Sequence, residues 1–108
     1  MTEVGGRWVE VCRVGDIAPE DVMRFDDGAR TFAIFRGRGD DYYASDGLCT
    51  HEAAHLAEGF IIDGVIECPM HNGRFSISTG RALGAPACVD LATYPVRVED
   101  DRVLVDLG

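Results

Sequence analysis

Lysine is missing from this chain of 108 residues: all ten of its basic residues are arginine, set against 19 acidic ones, for a formal charge of −9. The missing lysine reads as compositional bias and carries no functional inference. The shortage of positive charge does carry one. A nucleic-acid footprint needs clustered basic side chains, so this function class is excluded. An acidic surface favours solubility and steers a protein toward basic partners. No apolar run approaches the roughly 20 residues needed to cross a bilayer, and no charged start followed by an apolar stretch marks an export signal. The expectation is a soluble cytoplasmic protein. Internal repeats, low-complexity tracts and linkers are also lacking, so residues 1–108 read as a single domain.

Helical periodicity is absent as well; what is present is a succession of short strands. Arg7 to Cys12 reads as a first strand, with Trp8 as a core anchor. Gly15 to Asp21 allows at most a helical turn. Val22 to Phe25 is closed by Asp26-Asp27-Gly28, a hairpin signal. Thr31 to Arg36 is apolar and rich in β-formers, as a central strand would be. Asp41 to Ala44 follows. Phe60-Ile61-Ile62 and Val65-Ile66-Glu67 flank Asp63-Gly64, the clearest hairpin in the chain. Arg74 to Ser78 reads as a strand, and Leu83 to Ala87 as a small-residue loop. Tyr94 to Glu99 pairs with Arg102 to Asp106 across Asp100-Asp101. Strands this short, recurring about every ten residues, point to an all-β sandwich or small barrel.

With only four cysteines, a disulfide framework is a poor fit. Cys12 and Cys88 lie in strand-like surroundings and read as small buried hydrophobes. Cys49 and Cys68 sit in a different context. One belongs to Cys49-Thr50-His51, the other to Cys68-Pro69-Met70-His71-Asn72-Gly73, with residues 52–67 between. A C-x-H pair is too tight for one helix face, where neighbours stand three or four apart. It suits a sharp loop. Thiolate and imidazole together admit a structural Cys₂His₂ zinc or a [2Fe–2S] cluster with two Cys on one iron and two His on the other. Zinc fingers put both cysteines in one motif and both histidines in the other. Here each loop supplies one of each, which favours two adjacent irons held between facing loops. Pro69 stiffens the second loop, Gly73 lets backbone amides approach, and Pro86 would cover a third side. The ligand set is thus Cys49, His51, Cys68 and His71, with Gly73 and Pro86 beside it. His55 reads as a surface side chain next to the site. Arg74 and Arg81 read as solvated, and Met70, Ala53, Ala54 and Pro86 as a small apolar rim.

On these motifs, and on Leu56-Ala57-Glu58-Gly59, Arg74-Phe75, Thr79-Gly80-Arg81-Ala82, and Ala85 through Val98, the chain resembles the Rieske family, in particular the small ferredoxins of bacterial ring-hydroxylating oxygenase systems. The resemblance covers nearly the whole chain. It implies stacked antiparallel β-sheets, a β-sandwich, with a small cluster-binding subdomain at about 46–87. It also implies Cys49 and Cys68 on the inner iron, His51 and His71 on the exposed outer iron, and a soluble one-electron carrier without catalysis of its own. Its partners would be a flavin-containing NAD(P)H ferredoxin reductase and a terminal Rieske oxygenase, with no nucleic acid or membrane involved and the protein itself a monomer. Respiratory Rieske proteins add a loop-to-loop disulfide and hydroxyl donors. Ala54 and Met70, and Asn72-Gly73-Arg74-Phe75, stand where those would be, so the expected potential is about −150 mV, low in the Rieske range. The competing readings are a small Rieske-like subunit of a stable complex, as in nitrite reductase or arsenite oxidase, and a zinc-stabilised interaction module.

Overall fold

The strand Arg30–Arg36 buries four consecutive side chains, Phe32, Ala33, Ile34 and Phe35. Successive strand side chains point to opposite faces, so a run buried throughout means a sheet covered on both sides. The computed structural model, which describes residues 6–50, 54–69, 73–84 and 89–108, bears this out. Its strands are β1 (Trp8–Arg13), β2 (Asp21–Asp27), β3 (Arg30–Arg36), β4 (Tyr42–Asp46), β5 (Phe60–Ile62), β6 (Val65–Glu67), β7 (Arg74–Ser76), β8 (Thr93–Tyr94), β9 (Val96–Glu99) and β10 (Arg102–Asp106). Among the described residues one 3₁₀ turn, Leu56–Glu58, precedes β5. All pairings are antiparallel, in three sheets ordered β1-β10-β9, β2-β3-β4-β8 and β5-β6-β7.

The two faces of β3 feed two cores. Phe32 and Ile34 pack with Val11, Ile17, Val103 and Val105, joining the middle sheet to the β1-β10-β9 sheet. Ala33 and Phe35 pack with Leu56, Ile61, Ile66, Phe75, Ile77 and both loop cysteines, joining it to the β5-β6-β7 sheet. The expected sandwich is therefore stacked antiparallel sheets with the middle sheet shared.

Local chemistry sets the turns. Asp63 and Gly64 have φ of 53° and 77°, the left-handed pair that a two-residue hairpin between β5 and β6 requires. Asp100 and Asp101, with φ of 51° and 63°, make the same kind of turn between β9 and β10 without glycine. The run expected as one strand from Tyr94 to Glu99 is broken at Pro95. Proline cannot donate to a ladder. There the chain leaves β4, which pairs with β8, and joins β10, which pairs with β9.

Trp8 is not a core anchor. It is 37% exposed, at the start of the edge strand β1, and its ring lies 4.3 Å beneath the Arg97 guanidinium. A bulge between Glu10 and Cys12 re-aims the strand, so Val11 and Cys12 are the side chains buried. Burial as a small hydrophobe holds for Cys12, whose thiol pKa is pushed up to about 11 by desolvation and the nearby Asp16 and Glu10 carboxylates. Cys88 lies outside the described residues.

Candidate metal centre

The two cysteine loops are built alike. The first rises from an antiparallel bridge between Leu48 and His55, and the second from the β6–β7 pair Glu67 and Arg74. Each cysteine is the first residue beyond its stem. Each donates its amide across the loop base to the residue five further on: Cys49 to the Ala54 carbonyl at 2.9 Å, Cys68 to the Gly73 carbonyl at 2.6 Å. Short hairpin stems thus present both side chains from equivalent positions. Both are buried, at 5% and 1% exposure, and both belong to the apolar cluster containing Leu56 and Phe75.

Further bonds fasten these loops to the scaffold. The Thr50 hydroxyl donates to the Val89 carbonyl at 2.7 Å, tying the first loop to the returning chain. That returning segment is held in turn by Leu83 N–H to the Arg74 carbonyl at 2.9 Å, Ala82 N–H to Asp90 Oδ1 at 2.8 Å, and Leu91 N–H to the Gly80 carbonyl at 2.8 Å. Sequence reasoning missed Thr50, Val89 and Asp90, because their partners lie far along the chain and no local pattern marks them. Arg74 and Arg81 are exposed, as expected. His51, Ala53, Met70, His71 and Pro86 lie outside the described residues.

His55 is the correction. Expected at the surface, it is 6% exposed. It caps the 3₁₀ turn, with Nδ1 accepting from the Ala57 amide at 3.0 Å. Nε2 stands 2.8 Å from Thr31 Oγ1, and that hydroxyl is 2.6 Å from Asp26 Oδ1. Burial, aided by the Arg24 charge, lowers its pKa from the ordinary 6.5, against opposing contributions from Asp26 and Glu58. The Asp26 carboxyl is itself held low, chiefly by the Thr31 hydroxyl and then by Arg24. One local signal was there to find. His55 precedes Leu56 and stands three residues before Glu58, with Gly59 next, a cap-and-stop pattern resembling a capping box.

Two buried sulfurs at matching loop positions, each followed within three residues by a histidine, suit a [2Fe–2S] cluster with mixed Cys and His ligands. Hydrophobic lining around both cysteines shields their sulfurs from water, as such a centre needs.

Comparison with known proteins agrees. The model of the Rieske [2Fe-2S] domain matches residues 7–95. The ferredoxin component of a naphthalene 1,2-dioxygenase system from Pseudomonas aeruginosa is 41% identical over 108 residues, covering 100% of both chains. Among solved structures, a complex of reduced oxygenase and oxidized ferredoxin in carbazole 1,9a-dioxygenase contains a chain 38% identical, with a TM-score of 0.86 and 92% of each chain covered. A nitrite reductase small subunit from Mycobacterium tuberculosis superposes with a TM-score of 0.85 over 97% of this chain and 98% of its own, at 20% identity, a likeness of fold.

Proposed function

This chain belongs to the Rieske [2Fe–2S] family, and on that premise we propose that it is the diffusible one-electron carrier of a bacterial oxygenase system, taking electrons from a flavin-containing NAD(P)H reductase and giving them to a terminal Rieske oxygenase. The observation that carries this reading is the pair of buried thiols, Cys49 and Cys68, at equivalent points of two hairpin loops. With His51 and His71 they form the proposed ligand set. Gly73 and Pro86 stand beside it, and residues 46–87 are the cluster-carrying part of one domain, 1–108. A bound [2Fe–2S] cluster supplies reversible one-electron redox chemistry at a potential proposed near the low end of the Rieske range, about −150 mV.

The residues do the rest. Leu56, Phe75 and their neighbours exclude water from the sulfur side. The loop stems hold the thiolates in place before any electron arrives, so little need reorganise on transfer. The histidine side faces the partner in this reading, where the route out is shortest. The acidic surface steers the protein onto basic partner patches for brief encounters. No reacting substrate is bound and no bond is made, so the chain has no catalytic residue.

Relatives are ferredoxin components of dioxygenase systems, and one solved structure pairs such a ferredoxin with its oxygenase. No helix among the described residues is long and apolar enough to cross a membrane. We place the protein in the cytoplasm as a monomer. The test is reconstitution: the coloured protein, mixed with a flavin reductase, NADH and a Rieske dioxygenase, restores substrate oxidation that is lost when it is omitted. It also runs alone on gel filtration. Stoichiometric co-elution with a large catalytic subunit would overturn the carrier reading in favour of a fixed subunit.

A further inference from the structure

The carrier reading gives His55 no task, and the following inference rests on that reading. Nδ1 accepts the Ala57 N–H, so it carries no proton. The neutral ring therefore has its hydrogen on Nε2, which donates to Thr31 Oγ1. The Thr31 hydroxyl, accepting there, turns its own hydrogen to Asp26 Oδ1. One accepted bond fixes the direction of the whole chain, from the 3₁₀ turn through the ring to β3 and then β2.

The ring also fills the space that a side chain at position 47 would take. A Cβ on Gly47 would lie 2.5 Å from Nε2, so residue 47 has to lack a side chain for the ring to sit there. Gly47 is held from both sides, its amide donating to the Thr31 carbonyl at 2.9 Å and its carbonyl accepting from Leu56 at 2.8 Å. His55 pairs with Leu48 at the stem of the first loop, and Cys49 is the next residue. A movement of the stem is a movement of that sulfur.

We propose that His55 is a positioning residue: held as the Nε2–H tautomer between the Ala57 amide and Thr31, it pins the stem of the first cysteine loop to the middle sheet and so fixes the environment felt by the cluster electron. The backbone dipoles of a fixed loop stabilise added negative charge better than those of a loop free to shift. Loosening the pin lowers the potential and spreads the electronic environment.

The test uses reconstituted holoprotein carrying Thr31→Val, His55→Leu or His55→Asn. Val103→Ala, a truncation in the other core cluster, is the control for lost stability. Thr31→Val and His55→Leu are expected to broaden the EPR signal of the reduced protein. They should also lower the reduced-to-oxidised ratio at fixed poise about threefold, near 28 mV by the one-electron scale of 59 mV per tenfold. His55→Asn keeps an acceptor for the Ala57 amide but has no atom at the Nε2 position to reach Thr31. It therefore keeps the cap of the 3₁₀ turn and still shifts signal and ratio as Thr31→Val does; wild-type signal and ratio in His55→Asn would overturn the proposal. Val103→Ala lowers the melting temperature and leaves signal and ratio alone. Unchanged signal and ratio in Thr31→Val, which preserves shape, would overturn the proposal, as would an equal shift in Val103→Ala. Nitrogen-15 shifts of His55, read with and without iron, should show the Nε2–H tautomer; an Nδ1–H tautomer would overturn the pin on its own. Failure of the wild-type chain to take up iron would instead overturn the carrier reading, with the tautomer still deciding the pin.

Discussion

Cys49 and Cys68 are structural counterparts: each opens a loop at the end of an antiparallel stem, and each donates its amide to a carbonyl five residues later. Because both sulfurs contribute to one centre in this account, replacing either by serine should remove most bound iron and the visible colour, measured as iron per chain and absorbance. Metal binding and folding share free energy, so the melting temperature falls as well. A Cys49→Ser protein retaining full iron would remove that residue from the ligand set.

The core behind the loops makes a second prediction. Phe75 is fully buried on β7 within the cluster that holds both cysteines. Phe75→Ala should cost about 3–5 kcal/mol in urea unfolding. Ile62, 59% exposed on β5, offers the contrast: Ile62→Ser should stay within about 0.5 kcal/mol. Equal costs at the two sites would contradict the packing described.

His55 predicts a pH dependence of stability. Its folded pKa lies below the ordinary 6.5, mainly through burial and then through Arg24. The unfolded chain therefore binds more protons in the window below 6.5. The stabilisation from keeping the ring neutral is full above that value and is lost as the pH falls through it toward the lower folded pKa. Melting temperatures from pH 7.5 to 5.5 should fall more steeply for the wild type than for His55→Asn. Parallel slopes would contradict this.

Charge steering predicts a salt effect. With 19 acidic and ten basic residues, encounters with a basic partner surface weaken as ions screen them. Stopped-flow reduction by the reductase should slow as ionic strength rises, by an order of magnitude or more if steering dominates. Salt-independent rates would show that docking does not rely on charge.

Much of this was legible in the chain. Phe60-Ile61-Ile62 and Val65-Ile66-Glu67 around Asp63-Gly64 form the observed hairpin, because the turn residues carry the conformation the turn needs. The unbroken apolar run Phe32 to Phe35 was readable as a central strand, and its two-sided burial explains why it does not alternate. Trp8 was misjudged because size alone does not tell which face of an edge strand it takes, and Arg97 covers it from the outside. His55 was misjudged because its partners Thr31 and Asp26 belong to distant strands, a relation that only the stacking of sheets creates.

The central claim is that Cys49 and Cys68, with His51 and His71, hold a two-iron cluster with sulfur on one iron and nitrogen on the other. Iron and acid-labile sulfide analysis of the reconstituted protein, joined to pulsed EPR of its reduced form, tests it most directly. The account predicts about two irons and about two sulfides per chain, with coupling to histidine nitrogens that is lost in His51→Ala and His71→Ala. A colourless protein holding zinc, or no metal and no sulfide, would contradict it.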